Sequence, residues 1–142
     1  LQRECERIDL VFPVHPRTRA RLEAMDAWSR LQRLPSLHLE EPLPYVDFMG
    51  ALRGSRFVVT DSGGIQEETT WLGVPCLTQR LNTERPVTID RGTNTLVGED
   101  FDATSREITS ILEGRYKKGE RPPLWDGRCA ERIATVLEDH LS

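Results

Sequence analysis

The sequence predicts an α/β fold with a parallel, doubly wound sheet. Strand-like and helix-like segments alternate along the chain, which is typical of βαβ units. The clearest strand covers residues 57–60, in which a phenylalanine precedes three β-branched residues, and it runs into the loop 61–64. A helix is predicted over residues 65–72, ending at Gly73, a usual C-terminal cap residue. Ligands of such sheets bind at the carboxyl ends of the strands, so the loops after the strands are the places to search for a site.

The remaining elements follow from the spacing of apolar residues. Residues 10–14 predict a short strand, and residues 17–34 predict one helix, because Leu22, Met25, Trp28 and Leu31 recur on one face. Further strands are expected at 37–39, 74–78 and 95–97, further helices at 45–52 and 105–112, and a loop or linker at 114–123. Asp126 is expected to cap a final helix, 127–141, with an apolar stripe of Ala130, Ile133, Ala134, Leu137 and Leu141.

Composition excludes several classes of protein. The net charge of −4 shows no basic excess that would attract nucleic acid. No apolar run approaches the roughly 20 residues of a membrane span, so no membrane association is expected. Cys5, Cys76 and Cys129 have no metal-ligand spacing, which favours reduced thiols in a cytoplasmic protein without a metal site.

The loop Asp61–Ser62–Gly63–Gly64 is the strongest candidate site. It is expected to join a buried strand to a helix start, where free backbone N–H groups and the helix dipole favour an anion. The two glycines would let a phosphate approach those N–H groups, and the Ser62 hydroxyl could donate a further bond. The alternative is that Ser62 only caps the helix and the glycines only form a tight turn.

Glu68 lies one turn into the predicted helix, beside its inward stripe of Ile65, Thr69 and Leu72. A carboxylate in that position needs a partner, and the two hydroxyls of a ribose would supply one. The alternative is an acidic residue favoured by the helix dipole, which explains the neighbouring Glu67 better than Glu68.

Three further residues follow predicted strands or turns. Arg85, in the segment after strand 74–78, could bind a diphosphate through two N–H groups, or could be a surface arginine. His15 follows strand 10–14 and is either a ligand contact or a loop residue. Phe48 follows the Pro42–Leu43–Pro44 turn and either stacks on a base or packs in the core.

These segments resemble a known family. VTDSGGIQEET, LGVPCLT, NTERP, GTNTLVG and LWDGRCAERI are similar, in order and spacing, to the non-hydrolysing UDP-N-acetylglucosamine 2-epimerases. The resemblance runs from Pro13 to the final helix. It implies the GT-B arrangement, two Rossmann-like halves with the UDP-sugar in the cleft between them. Residues 1–142 would be one Rossmann-like domain, the UDP-binding C-terminal half without its first strand, and the final helix would pack on the N-terminal half.

The resemblance also implies roles for individual residues. Ser62, Gly63 and Gly64 would hold the diphosphate, Arg85 would contact the phosphates and Glu68 the ribose. Phe48 would lie by the uracil, and His15 would line the cleft and, as in bacterial members, a second, regulatory UDP-sugar site. The intact protein would be a homodimer in the cytoplasm that uses no nicotinamide or flavin cofactor and serves cell-envelope polysaccharide synthesis.

The activity implied by the family is elimination of UDP and its re-addition with the opposite configuration at C2, converting UDP-N-acetylglucosamine to UDP-N-acetylmannosamine. The acid and base groups would belong to a region outside this chain, so no catalytic residue is assigned here. Glu67 is expected to point away from the cleft and Glu84 to be ion-paired. Three alternatives stay open at this point: a hydrolysing relative, half of a GT-B glycosyltransferase, and a non-catalytic nucleotide-sugar binding module.

Overall fold

The computed structural model describes residues 2–141, so Leu1 and Ser142 of the predicted domain 1–142 lie outside the described residues. All strand pairs in it are parallel, which confirms the predicted class of parallel α/β fold. The chain divides into two compact units, Leu1–Gly50 and Ala51–Ser142. The prediction that the chain forms a single domain stays a prediction.

The first unit contains a two-stranded parallel sheet in which Leu10 pairs with Leu37 and Pro13 with Glu40. Its elements are α1 (Gln2–Cys5), β1 (Leu10–Pro13), α2 (Pro16–Ala24), α3 (Trp28–Leu31) and β2 (Leu37–Glu40), and α4 (Tyr45–Gly54) begins in this unit and ends in the next.

The prediction of one helix over residues 17–34 is wrong. The segment forms the two helices α2 and α3, because Asp26 between them has a φ of 53°. A left-handed residue cannot continue a right-handed helix, and aspartate is among the few residue types that tolerate this conformation. The apolar periodicity therefore continues across a break in the helical backbone at Asp26.

The second unit contains a three-stranded parallel sheet with the order β3-β4-β5. Its elements are β3 (Val58–Thr60), α5 (Gly63–Leu72), β4 (Cys76–Thr78), α6 (Val87–Asp90), β5 (Asn94–Leu96), α7 (Phe101–Leu112) and α8 (Cys129–Leu141). The central strand β4 is completely buried, as expected for a strand with neighbours on both sides and covered faces. It begins one residue after Pro75, which has no N–H to donate to a neighbouring strand.

Helix α5 confirms the predicted strand–loop–helix unit. It begins at Gly63 with Ser62 as the N-cap residue, and it ends at Gly73, whose φ of 73° is the left-handed conformation that glycine adopts without strain. The Gly73 N–H donates to the carbonyl oxygen of Thr69 and so satisfies one of the last carbonyls of the helix. The carboxyl end of β3 is thereby joined to a helix start within three residues.

Helices α7 and α8 differ from the predictions at their first residues. Helix α7 begins at Phe101, not 105, because the Asp100 carboxylate accepts from the Ala103 N–H at 2.8 Å and caps an earlier turn. Helix α8 begins at Cys129, and Asp126 accepts from the Arg128 N–H at 3.0 Å. No helix of the described chain has the length and apolar character needed to cross a bilayer.

The predicted loop 114–123 packs against the sheet through several side chains. Tyr116 donates from its hydroxyl to the Thr93 carbonyl at 2.9 Å, and Lys117 donates to the Ile89 carbonyl at 2.8 Å. The guanidinium of Arg121 lies 3.5 Å from the centre of the Trp71 ring on α5. Burial raises the pKa of Tyr116 to about 12. The loop is therefore part of the packed unit.

A close approach explains why residue 92 is glycine. A Cβ atom there would lie 2.3 Å from the Thr70 hydroxyl oxygen and 2.5 Å from the Thr88 carbonyl oxygen. We expect Gly92→Ala to lower the free energy of unfolding by about 2 kcal/mol or more, since the Thr88 backbone cannot move aside at little cost. Urea unfolding followed by circular dichroism measures the change.

Gly50→Ala is the matched control, because a Cβ at that position in α4 would have no heavy atom of the described chain within 4 Å. We expect it to stabilise the protein by about 0.5–1 kcal/mol, the ordinary gain for alanine over glycine inside a helix. Equal effects of the two substitutions would contradict the steric explanation for Gly92.

Candidate functional site

The candidate site begins at the N-terminus of α5. Ser62 has the extended conformation of an N-cap residue (φ −78°, ψ 129°), but its side chain makes no capping hydrogen bond within the described residues. Its own N–H donates to the Thr60 hydroxyl at 3.0 Å. The N–H groups that follow it, from Gly63 onward, belong to the first turn of the helix and lack helical acceptors. The loop therefore presents an exposed hydroxyl and several donors at the positive end of the helix dipole.

The two glycines of this loop have different surroundings. A Cβ atom on Gly64 would have the Ser62 hydroxyl oxygen, 4.0 Å away, as its nearest neighbour, so Gly64 faces open space. A Cβ atom on Gly63 would lie 2.7 Å from Nη1 of Arg85. Glycine at position 63 therefore lets a guanidinium group approach the first turn of the helix. The structure brings Arg85, from the loop after β4, to the loop after β3, as the sequence predicted.

Arg85 is flanked by two carboxylates. Its Nε lies 2.8 Å from Oε2 of Glu67, an ion pair in which the N–H is poorly aligned, and its Nη1 lies 3.6 Å from Oε2 of Glu84. The expectation that Glu67 points away is wrong, because the position of Arg85 against α5 brings its guanidinium within reach of Glu67. The Glu67 contact raises the pKa of Arg85, so this group stays a cation.

A second arginine, Arg80, lies in the same cluster and was missed in the sequence analysis. It binds Glu84 through two hydrogen bonds of 3.0 and 3.3 Å, and its Nη1 is 3.9 Å from the position of a Cβ on Gly63. Hydrogen bonds to the Glu84 backbone and to Arg80 lower the pKa of Glu84. Arg80 stands two residues beyond the end of β4, and this position after a strand end is a sequence signal that it shares with Arg85.

Glu68 is half-buried on α5 and has no hydrogen-bond or ion-pair partner in residues 2–141. It therefore differs from Glu67 and Glu84, which are both held by arginines. Asp61 is a further carboxylate at this sheet edge, exposed directly after the end of β3, and it is not among the site residues predicted from the sequence.

A buried polar network, also missed in the sequence analysis, lies behind the exposed cluster. The side-chain oxygen of Gln66 accepts from the Thr83 hydroxyl at 2.6 Å and from the Asn94 amide at 3.1 Å. Its amide donates to the Ser62 carbonyl at 3.4 Å. Gln66 and Asn94 are 0% exposed, so these bonds connect the start of α5, the loop after β4 and strand β5 from inside.

His15 and Phe48 belong to the first unit. His15 is the N-cap of α2, where its Nδ1 accepts from the Arg17 N–H at 3.2 Å, and Phe48 is half-buried in α4. Their predicted places beside the loop 61–64 stay predictions. No group of three or more potential metal ligands is found among the described residues.

A helix N-terminus and an arginine thus lie together at the carboxyl edge of a parallel sheet, and Glu68, one turn along the helix, has no partner in residues 2–141. A family model described as UDP-N-acetylglucosamine 2-epimerase matches residues 1–138. The chain therefore belongs to the UDP-N-acetylglucosamine 2-epimerase family, which confirms the resemblance found in its motifs.

Individual relatives agree with this assignment. The UDP-N-acetylglucosamine 2-epimerase of Methanocaldococcus jannaschii is 35% identical over 128 residues, 90% of this chain and 34% of that protein. The enzyme of the same name from Bacillus subtilis is 36% identical over 96% of this chain and 36% of its own length. The chain thus spans about a third of the length of the curated relatives it matches.

Solved structures show the same fold. The structure of the Methanocaldococcus jannaschii enzyme in complex with UDP-GlcNAc and UDP matches with a TM-score of 0.77 and 34% identity, covering 96% of this chain and 37% of that one. A Neisseria meningitidis enzyme bound to UDP-GlcNAc matches with a TM-score of 0.71 and 31% identity, over 92% and 36% of the two chains.

Proposed function

We propose that this chain is the UDP-binding part of a UDP-N-acetylglucosamine 2-epimerase. The observation that carries the proposal is the position of the Arg85 guanidinium against Gly63, at the N-terminus of α5. Two features of anion recognition, a helix start and a cation with several donors, converge there. The family membership, and the relatives solved with UDP-GlcNAc, support UDP as the anion.

On this proposal the diphosphate lies over Gly64. The backbone donors of the first turn, the Ser62 hydroxyl and the Arg85 guanidinium would share its charge. Arg80 would reinforce the positive potential at the same glycine pair. Because Glu67 and Glu84 occupy part of the guanidinium surface, phosphate oxygens would bind the donors that these carboxylates leave, or displace them.

Glu68 would accept hydrogen bonds from the ribose hydroxyls. Its support is twofold: it lies one helical turn beyond Gly64, and no group of the described chain pairs with it. A half-buried carboxylate with no partner is unusual. The ribose diol supplies two hydroxyl donors, which match the two acceptor oxygens of the carboxylate.

The chemical contribution of this chain would be to the leaving group. When the bond between C1 of the sugar and the β-phosphate oxygen breaks, negative charge grows on the diphosphate. Donors and cations fixed around that oxygen stabilise the developing charge more than the bound substrate, and so lower the barrier. Transfer of the C2 proton needs a separate acid and base.

Several finer features are part of the same proposal and rest on the family resemblance. They are Phe48 beside the uracil, His15 at the cleft and at a regulatory UDP-sugar site, a homodimer, and a cytoplasmic location. The packing of helix α8 on another part of the protein has additional support, because Ile133, Leu137 and Leu141 on its apolar stripe are 54%, 54% and 86% exposed.

Gly64→Val tests the phosphate position. A valine side chain would project into the open space above the helix start and keep a phosphate from the backbone donors. Within the described residues, the nearest atom that the new Cβ would meet is the Ser62 hydroxyl oxygen, 4.0 Å away. We expect the variant to fold and to bind UDP at least about tenfold more weakly, the effect of losing one hydrogen bond to a charged group. Chemical-shift titration of the labelled chain with UDP measures the affinity.

Gly54→Val is the control for glycine replacement in general, since a Cβ there also meets no atom of the described chain within 4 Å. It should bind UDP like the wild type. Unchanged affinity in a folded Gly64→Val variant would mean that the loop is only a turn.

Glu68→Gln tests the ribose contact. We expect the affinity for UDP to fall by about 10- to 150-fold and the affinity for 2′-deoxy-UDP to fall by less, because the deoxy ligand already lacks one of the two donors. Parallel titrations of both ligands give the ratio. Glu67→Gln is the matched control: it changes the charge beside Arg85 but should leave the ratio of UDP to 2′-deoxy-UDP affinity unchanged. Equal weakening of both ligands by Glu68→Gln would argue against the ribose assignment.

We also expect the 142-residue chain by itself neither to epimerise nor to hydrolyse UDP-N-acetylglucosamine. Glu67 and Glu84 are ion-paired, Glu68 is assigned to the ribose, and the single carboxylate of Asp61 cannot serve as both base and acid on opposite faces of C2. Proton NMR of the chain with substrate in D₂O is the assay. Enzyme-like incorporation of deuterium at C2 would show that catalytic groups are present here after all.

A further inference from the structure

We propose that Gln66 is a positioning residue that sets the spacing between the two parts of the anion site, the start of α5 and Arg85. The inference rests on the proposed function, since it assumes that UDP contacts both parts. Gln66 is completely buried, so its side chain acts on the ligand only through other residues.

The Gln66 carboxamide joins the two parts directly. Its Nε2 donates to the carbonyl oxygen of Ser62, at the start of the helix, at 3.4 Å. Its Oε1 accepts from the hydroxyl of Thr83, in the loop after β4 that carries Arg85, at 2.6 Å. A change in the relative position of helix and loop would therefore break one of these two hydrogen bonds.

The same network holds the backbone of Arg85 on both sides. The Arg85 N–H donates to the Thr83 hydroxyl oxygen at 3.1 Å, and the Arg85 carbonyl accepts from the Thr88 hydroxyl at 2.8 Å. Thr88 in turn accepts from the Asn94 amide at 3.1 Å, and that amide also donates to Gln66. The backbone of Arg85 is thus held by hydrogen bonds at its N–H and at its carbonyl group. From there the side chain reaches back, so that its guanidinium lies against Gly63, next to Ser62.

The proton positions in this network require an amide at position 66. The Thr83 hydroxyl has one proton, which goes to Gln66, and its oxygen is thereby free to accept from Arg85. Oε1 of Gln66 must accept from two donors while Nε2 donates to a carbonyl. A methionine of similar size would satisfy neither requirement. A glutamate would place a carboxylate oxygen against the Ser62 carbonyl oxygen, with no proton between them, and would bury a charge in the core.

A purely structural role for Gln66 predicts different behaviour. In that case, replacing Gln66 would lower the free energy of unfolding. In the molecules that fold, however, Arg85 would still contribute as much to UDP affinity as it does in the wild type. A positioning role predicts that the loss caused by changing Gln66 depends on the presence of the Arg85 side chain. A double-mutant cycle separates the two cases.

The experiment compares UDP affinity, by chemical-shift titration of the full chain, for the wild type, Gln66→Met, Arg85→Ala and the double variant. We expect Gln66→Met to weaken UDP by about five- to twentyfold when Arg85 is present and by less than about twofold when it is alanine. If the double variant loses UDP affinity by the product of the two single losses, the two residues act independently and the inference is overturned.

Thr83→Val and Thr83→Ser keep the test decisive if Gln66→Met does not fold. Thr83 is only partly buried, and valine keeps its shape while removing the hydroxyl. Thr83→Val should weaken UDP as Gln66→Met does, and Thr83→Ser, which keeps the hydroxyl, should restore most of the affinity. Wild-type binding by Thr83→Val would overturn the inference.

Thr70→Val is the matched control. Thr70 is buried in the same helix, but its hydroxyl has no hydrogen-bond partner in the described chain, so its loss should leave UDP affinity unchanged. If the wild type does not bind UDP, or Arg85→Ala has no effect, the proposed function fails and the inference fails with it. If Arg85→Ala weakens UDP and Gln66→Met does not, only the inference fails.

Discussion

The buried hydrogen bonds of Gln66 and Asn94 are the constraint on which the second unit depends. Two carboxamides with no exposure to solvent would destabilise the fold unless each donor and acceptor found a partner. Oδ1 of Asn94 accepts from the Thr78 hydroxyl at 2.6 Å, and its amide donates to Gln66 and Thr88. Helix α5, strands β4 and β5 and helix α6 therefore meet in a single arrangement, since a shift of any one of them leaves a polar group unpaired in the core.

This dependence explains which features could be predicted from the sequence. The strand β3, the glycine loop and helix α5 are encoded locally, by a β-branched run, a glycine pair and the cap Gly73, and they were predicted to within a residue or two. The candidate residues Ser62, Gly63, Gly64 and Arg85 were found because strand ends in a parallel sheet share one edge. In contrast, a glutamine and an asparagine have no pattern that marks them as buried, and only the tertiary contacts reveal them.

Side-chain direction was the second feature that the sequence could not supply. The ion pair of Glu67 with Arg85 joins residues 18 positions apart, and the loop that carries Arg85 is held by the hydrogen bond from Thr83 to Gln66. The break at Asp26 has a similar origin, because an aspartate is compatible with either helical or left-handed backbone and the surrounding contacts decide between them. Motif spacing indicates the candidate site, whereas the ion pairs around it are visible only in the structure.

Those electrostatics are nearly balanced. Arg80 and Arg85 carry two positive charges, and Glu67 and Glu84 carry two negative charges within 4 Å of them. A diphosphate at this site would therefore be held mainly by the helix N-terminus, and by arginine donors released from Glu67 and Glu84. All four side chains are partly exposed, so solvent would weaken each of these interactions. Covering the site with the surface that α8 is proposed to contact would lower the local dielectric and strengthen every contact with the leaving group. On the proposed function, this chain thus positions the groups that stabilise UDP as it leaves. How far these groups lower the barrier to bond breaking would depend on how completely water is excluded from the site.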